Sequence, residues 1–284
     1  MRLLLLSDMH LLWENPVCRL DNLVEEQFNK LRFVLDYASE NELPIIQAGD
    51  FFDRPRSWFL LPKVIDLLKE YPNVEISTIY GQHDTYMYSE ETRENTNLGI
   101  LEKAGLVKIR SSLDFKGFKV MVVHAPISDE PLYMGPDNEC IDAAKFLKKN
   151  KEFDLILCGD IHRQFCIVDK KDRFIINTGP MLRKTADEYN FKHKPSFCVF
   201  NTYRRKVNWV EIPHKSADEV ISKEHINRKE EIDLLLDDFI DSIKNDYKAT
   251  TVDLTENIKR FIKENEIDCG TINILSEVMN RRGE

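Results

Sequence analysis

The chain has no cysteine pair in CxxC spacing, no apolar run near the ~18 residues that span a bilayer, no internal repeat and no low-complexity tract. Each absence removes a class of protein. Cys18, Cys140, Cys158, Cys166, Cys198 and Cys269 are scattered, several of them within apolar stretches. They read as free thiols of a reducing compartment, neither a disulfide scaffold nor a zinc ribbon. The opening MRLLLLSD is too short for a secretory hydrophobic region and is ended by Asp8, so a cytoplasmic protein is expected. Positive charge is not in excess either. Lys and Arg number 40 against 49 Asp and Glu, a net charge of −9. The imbalance is concentrated in Ser216–Glu284, with 10 basic against 17 acidic residues, a net −7, which leaves about −2 for residues 1–215. A uniformly basic surface is excluded, although nucleic-acid affinity depends on local groups. No side-chain nucleophile is apparent.

What the chain does have is five short polar segments, each at the end of an apolar run. They are SDMH (Ser7–His10), GDFFD (Gly49–Asp53), GQHD (Gly81–Asp84), VVHAP (Val122–Pro126) and GDIH (Gly159–His162). Runs such as Leu3-Leu4-Leu5-Leu6 and Leu155-Ile156-Leu157-Cys158 predict buried strands. Polar residues at the carboxyl ends of such strands fall in the crevice where open α/β sheets bind ligands. A single Asp-x-His carries little information. Asp8, His10, Asp50, His83, His124 and His162 in this order supply enough carboxylate and imidazole for two divalent ions.

The set resembles the calcineurin-type metallophosphoesterases, whose pattern is DxH, GD, GNH(D/E), H and GHxH. The similarity runs over about residues 1–212. Within that superfamily the stretches AGDFFDRPR, IYGQHD, NLGILEKAGLVKI and INTGPMLRKTADEYNFKHKPSFCVFN are most similar to the SbcD-type nucleases of DNA repair, the family of the MRN-complex nuclease. The resemblance implies an α/β fold, the four-layer αββα sandwich. It also implies a pair of metal ions that bind a phosphodiester, activate water and stabilise the leaving oxygen. Asp50 would bridge the ions. Asp8, His10 and His162 would complete one, and Gln82, His124 and Asp160 the other. His83 would act on the phosphate or leaving oxygen from outside the ligand set, oriented by Asp53 or by Asp84. Two positions depart from the pattern: Gln82 replaces the usual Asn, and Asp160 the first His of GHxH. Both fall on the second ion: Gln82 keeps the amide oxygen on a side chain one methylene longer, while Asp160 puts a charged oxygen in place of a nitrogen and favours Mn²⁺, with Mg²⁺, Fe²⁺ and Zn²⁺ as alternatives.

Periodicity gives alternating strands and helices in residues 1–215, consistent with two stacked sheets flanked by helices. Helices are predicted near Leu20–Ser39, Trp58–Glu70, Asn97–Ala104 and Asn138–Lys149. Arg54, Arg163 and Arg183, with Arg56 and Lys184, are the candidate substrate-binding cations. Tyr86, Met87 and Tyr88 are expected to pack in a loop. His193, His214 and His225 are expected at the surface.

Residues 216–284 form a second, helical segment. Ile232, Leu235, Leu236, Phe239, Ile240 and Ile243 line one face of a predicted helix over Arg228–Asn245. Ile258, Phe261 and Ile262 mark another over Leu254–Glu264, and Ile272, Ile274, Leu275, Val278 and Met279 a third. The resemblance suggests a partner-binding element for an SbcC-type ATPase. The alternatives are helices that pack on the catalytic domain or on a second copy as a homodimer. The functional expectation is a DNA exonuclease or endonuclease subunit. A stand-alone phosphoesterase for a small phosphodiester and a non-catalytic binding subunit are the alternatives.

Overall fold

A computed structural model of the chain describes residues 1–132, 140–224, 226, 228–229, 232–236, 254–264, 267, 270–273 and 275. It divides into two compact units, Met1–Ile221 and Ser222–Glu284.

In the first unit a six-stranded sheet has the order β13-β12-β1-β2-β3-β4. Here β1 is Arg2–Leu6, β2 Ile45–Gln47, β3 Ile76–Thr78, β4 Lys108–Ile109, β12 Ser196–Asn201 and β13 Lys206–Glu211. Strands β1 to β4 run parallel, and β12 closes against β1 antiparallel. The crossovers are α1 (Leu23–Glu40), α2 (Leu60–Lys69) and α3 (Asn97–Lys103). The second sheet has the order β10-β11-β9-β6-β5, with β5 Ser112–Phe115, β6 Phe118–Ala125, β9 Leu155–Asp160, β10 Gln164–Val168 and β11 Phe174–Thr178. Its central β6, β9 and β11 are parallel. A small ribbon, β7 (Ile127–Ser128) with β8 (Ile141–Asp142), leads into α4 (Ala143–Lys149).

The sequence explains the layering. Strands covered on both faces need apolar residues at every position. In β1, Leu4 and Leu6 pack with α1 and α2 residues such as Leu31, Val34 and Val64, whereas Leu3 and Leu5 face the other sheet. In β9, Leu155 and Leu157 meet them there, while Ile156 and Cys158 turn outward to Ala143 and Leu147 of α4. Helices, sheet, sheet and helix thus form the expected four layers. Caps set the helix starts: Asn22 accepts from Glu25 N (3.1 Å) and Thr96 from Gly99 N (3.2 Å).

Differences from the predicted elements are local. Helix α1 begins at Leu23 and α2 at Leu60, each a few residues later than predicted. The ribbon β7–β8 and the short helices α5 (Glu188–Lys192) and α6 (Ala217–Val220) carry no periodic signal long enough to read. The predicted start of α4 at Asn138 lies outside the described residues. So do His225, Phe239, Ile240, Ile243, Cys269, Ile274, Val278 and Met279.

The second unit contains α7 (Leu254–Glu264) and a small core of its own. Phe261 and Leu275 are buried there, with Leu236, Ile258, Ile262 and Ile267 packed around them. Leu234 and Leu235 are exposed. Among the described residues no helix is long and apolar enough to cross a membrane.

Candidate metal centre

Three of the polar segments follow the carboxyl ends of β1, β2 and β3, and the other two form the carboxyl ends of β6 and β9, with His124 and Asp160 still in their strands; these ends meet at one edge of the two stacked sheets. A buried polar layer joins the sheets beneath that edge. Ser7 Oγ donates to Cys158 O (2.8 Å) and Ser7 N to Thr178 Oγ1 (2.7 Å), and within the first sheet Thr78 Oγ1 donates to Gln47 Oε1. The loops after β1 and β2 are stitched to each other: His10 N donates to Asp50 O (2.8 Å), Leu11 N to Phe51 O (3.0 Å) and Asp53 N to Leu11 O (2.9 Å).

Four of the candidate ligands sit at positive φ: Asp8 (41°), His10 (46°), Asp50 (51°) and Asp160 (92°). Non-glycine residues rarely adopt this conformation, and such strain concentrates at functional sites. It turns successive side chains into the same crevice. Close approach also demands glycine at 159, where a Cβ would meet Ala48 O at 2.5 Å and His124 Nδ1 at 2.8 Å.

Asp50 occupies the middle. Its Oδ2 lies 3.5 Å from His10 Nε2 and 3.3 Å from His124 Nε2, while Oδ1 accepts from His83 N (2.8 Å). On one side, His10 Nε2 is 2.9 Å from His162 Nε2, which is 3.8 Å from Asp8 Oδ1. On the other, His124 Nε2 is 4.0 Å from Asp160 Oδ1, to which Gln82 Nε2 donates. Asp8 Oδ1 accepts from Asp160 N (2.9 Å). Three sets, Asp8/His10/His162, His10/Asp50/His83 and Asp8/Asp50/His124, each place one ligand atom per residue within 4.8 Å of one another.

The donor set fits divalent cations. Asp8 Oδ2, Asp50 Oδ2 and His124 Nε2 are buried and have no hydrogen-bond partner. Buried polar atoms of this kind are costly unless something compensates them. His124 Nδ1 donates to Ala48 O (2.7 Å), which fixes the tautomer that turns Nε2 toward the carboxylates. The electrostatics agree. Burial lifts the Asp8 carboxyl to about 7, partly opposed by His124. Burial works against charge on His124, but Asp50, Asp8 and the Ala48 carbonyl outweigh it and raise the ring to about 9. His162 is depressed to about 3 by burial and by neighbouring His10, and burial also lowers His10. Asp50 is held ionised against burial by His124 and His10. Without a cation, Asp8 and His124 therefore hold protons that a divalent ion would have to displace.

Several expected residues take other positions. His83 is exposed, and its Nδ1 lies 3.0 Å from the Asp53 main-chain carbonyl, not its carboxylate. The Asp53 carboxylate instead faces His10 Nδ1 (3.3 Å) and accepts from Lys184 Nζ, contacts that outweigh burial and hold it well below the usual range. Asp84 does not orient His83. Its buried carboxylate accepts from Phe51 N (3.1 Å), Phe52 N (2.9 Å) and Gly81 N (3.1 Å), clamping the loops after β2 and β3 together. Burial raises it to about 7 despite these bonds. Arg54 is exposed and pairs with Glu14 (3.0 Å), and half-exposed Arg163 lies 3.9 Å from Glu130. Arg183 turns inward, donating to His193 O and Lys215 O. His193, expected at the surface, is buried between Pro180 O (2.7 Å) and Tyr189 Oη (3.2 Å), because the segment after β11 folds back over it. The pairing of Lys184 with Asp53 spans 131 positions, so no local spacing announces it.

Residues 1–204 match the calcineurin-like phosphoesterase superfamily domain. No curated protein matches the chain. Solved structures with similar folds include a predicted phosphoesterase from Streptococcus pneumoniae (14% identity, 76% of this chain and 91% of that one, TM-score 0.42). A zinc-complexed Vps29 from Entamoeba histolytica has 11% identity over 75% of this chain and 100% of that one, TM-score 0.38. The nuclease MPE of Pseudomonas putida has 17% identity over 72% and 86%, TM-score 0.35.

Proposed function

The chain belongs to the calcineurin-like phosphoesterase superfamily, and from that premise we propose that it is a binuclear metal-dependent phosphodiesterase acting on DNA. The observation that carries the hydrolytic part is the convergence of Asp8, Asp50 and His124, with buried atoms that lack a hydrogen-bond partner, at one sheet edge. Bound divalent cations would neutralise the phosphodiester and supply activated water.

The chain's own residues set the rest of the chemistry. Asp50 lies between the His10 and His124 nitrogens and is the group placed to serve both ions. Asp8, His10 and His162 would hold one. His124, Asp160 and Gln82 would hold the other, with Gln82 fixing the Asp160 carboxylate by a hydrogen bond. Asp53, charged and anchored by Lys184, orients His10. His83 stands at the open side. The Asp53 carbonyl accepts its Nδ1–H and leaves Nε2 for the phosphate or the leaving oxygen, donating when the ring is protonated.

Support for DNA as the substrate comes from the SbcD-like stretches of sequence and from the open, partly basic approach beside Asp53. Mn²⁺ is the proposed metal because Asp160 supplies a carboxylate oxygen where imidazole is usual, with Gln82 keeping the amide oxygen of the usual Asn. For the second unit we propose contact with an SbcC-type ATPase through exposed Leu234 and Leu235. Phe261 is committed to that unit's own core and is not available.

The test compares labelled single- and double-stranded DNA with bis(p-nitrophenyl) phosphate, each in Mn²⁺ and in excess chelator. Metal-dependent cutting of DNA supports the full reading. Hydrolysis of the small ester without DNA cutting would reduce it to a small-molecule phosphodiesterase. Equal rates in chelator would remove the metal mechanism.

A further inference from the structure

Beside the metal centre lies a cavity of about 540 Å³, lined among others by Trp13, Glu14, Arg54, Arg56, Trp58 and Phe59. Asp53 and Lys184, the pair that holds His10, line it, so the cavity adjoins the residues that position one candidate ligand. A second cavity of about 260 Å³ shares Arg56, Ser57 and Trp58 with it. The two concavities therefore meet at Trp58. The first alone has the size of a small-ligand pocket, and the pair extends beyond one such ligand.

The lining is unusual in being aromatic and exposed. Trp58 is 82% exposed and Phe59 66%. Trp13 stacks on Phe59 with ring centroids 5.4 Å apart and planes at 22°, and Lys63 Nζ lies 4.8 Å from the Trp13 ring. Arg56 lies over Tyr86 at 5.1 Å. Large rings left in water at the mouth of a site contribute little to folding and mark a binding surface. Cations interleaved with aromatic faces suit a ligand that carries both phosphates and flat rings.

We propose that this groove seats a single-stranded segment of DNA that flanks the phosphodiester at the metal centre, a reading that rests on the phosphodiesterase function above. Bases stack on Trp13, Trp58 and Phe59, and phosphates meet Arg54 and Arg56. A duplex hides its base faces except at the ends, so the groove selects frayed or single-stranded substrate. Glu14 is the one exposed acidic side chain of the lining and holds Arg54 at 3.0 Å. Both partners are largely exposed, so a phosphate displaces this pair at little cost.

The test measures binding of the full chain to labelled oligo(dT), and to an abasic oligonucleotide of equal length, in chelator so that nothing is cut. Oligo(dT) is expected to bind and quench tryptophan fluorescence, with the abasic strand weaker. Trp58→Ala and Phe59→Ala should each weaken oligo(dT) binding by roughly 5- to 100-fold, the scale of one lost base–aromatic stack. Trp58→Phe should keep most of the affinity, and Glu14→Gln should increase it. None of the four should change turnover of bis(p-nitrophenyl) phosphate in Mn²⁺. Equal binding of abasic and oligo(dT) strands, or wild-type affinity in both alanine variants, would overturn the proposal and leave the patch to a protein partner. The two readings fail separately. A chain that hydrolyses no phosphodiester yet shows the stacking pattern loses the enzymatic reading and keeps the groove. Hydrolysis without base-dependent binding does the reverse.

Discussion

Metal binding at this centre should compete with protons, and the competition can be sized from the site. A ligand must lose its proton before it binds a cation, so affinity follows the proton occupancy of the metal-free ligands. His124 holds its proton up to about 9 because the Asp50 and Asp8 carboxylates outweigh its burial. Asp8 holds one up to about 7 because it is buried. Both values are raised, so both protons are present at low pH and both oppose the metal there. Between pH 6 and 7 two protons are displaced, and affinity for Mn²⁺ should rise by up to about 100-fold. Between pH 7 and 9 only the His124 proton remains, and the rise should fall to about tenfold per unit, or ~1.4 kcal/mol. Above 9 the dependence should flatten. Calorimetric titration with Mn²⁺ in two buffers of different ionisation enthalpy reads both the affinity and the protons released. Asp50→Asn should weaken binding and also flatten the slope between pH 7 and 9, because the carboxylate that holds the His124 proton is gone. An affinity that changes less than about threefold from pH 6 to 9, with no proton release, would refute this account.

Other consequences follow from single contacts. Asp84→Asn leaves one acceptor oxygen where three main-chain N–H groups converge, and should cost about 2–4 kcal/mol of stability in a denaturant titration. In chelator, Asp8, Asp84 and His124 have folded-state values above their ordinary ones and lose stability as pH rises through about 7 and then 9, whereas the depressed His10, His162 and His193 lose stability as pH falls below their ordinary value of 6.5, so only above that value do the raised groups decide the trend. The melting temperature of the metal-free protein should therefore fall from about pH 6.5 to 8, and a flat profile over that range would count against these assignments. His83→Ala should retain its metal content but lose turnover by about 10²–10⁴-fold, as measured with bis(p-nitrophenyl) phosphate. Gln82→Asn with Asp160→His should shift the ratio of Zn²⁺ to Mn²⁺ affinity toward Zn²⁺ by about tenfold or more in competition titrations.

The layered fold and the convergence of the five segments were legible in the sequence, because continuous apolar runs mark doubly covered strands and the polar residues stand at their ends. Leu3 to Leu6 and Leu155 to Cys158 alternate between two buried faces, as their uniform apolarity implies. What was not legible depends on long-range pairing or on the main chain. The Asp53 carboxylate was expected on His83 but faces His10 and Lys184, while the His83 contact is with a carbonyl that has no residue code. Asp84 looked like a polar side chain beside the site and is a clamp for backbone N–H groups. Arg183 read as a cation for substrate, but carbonyls of His193 and Lys215 take its guanidinium into the interior. Phe261 lies on an amphipathic face that appeared free for a partner, yet Leu275 and Ile258 cover it. Periodicity shows which face is apolar but not what packs on it.

The central claim is that Asp50 serves two cations held by the ends of β1, β2, β3, β6 and β9. Elemental analysis of the purified full chain after reconstitution with Mn²⁺, beside Asp50→Asn treated identically, tests it most directly. The account predicts two ions per chain in the native protein and marked loss of both in the variant, because one carboxylate lies between the His10 and His124 nitrogens. Native stoichiometry in Asp50→Asn, or a native protein that takes up no divalent ion, would contradict it.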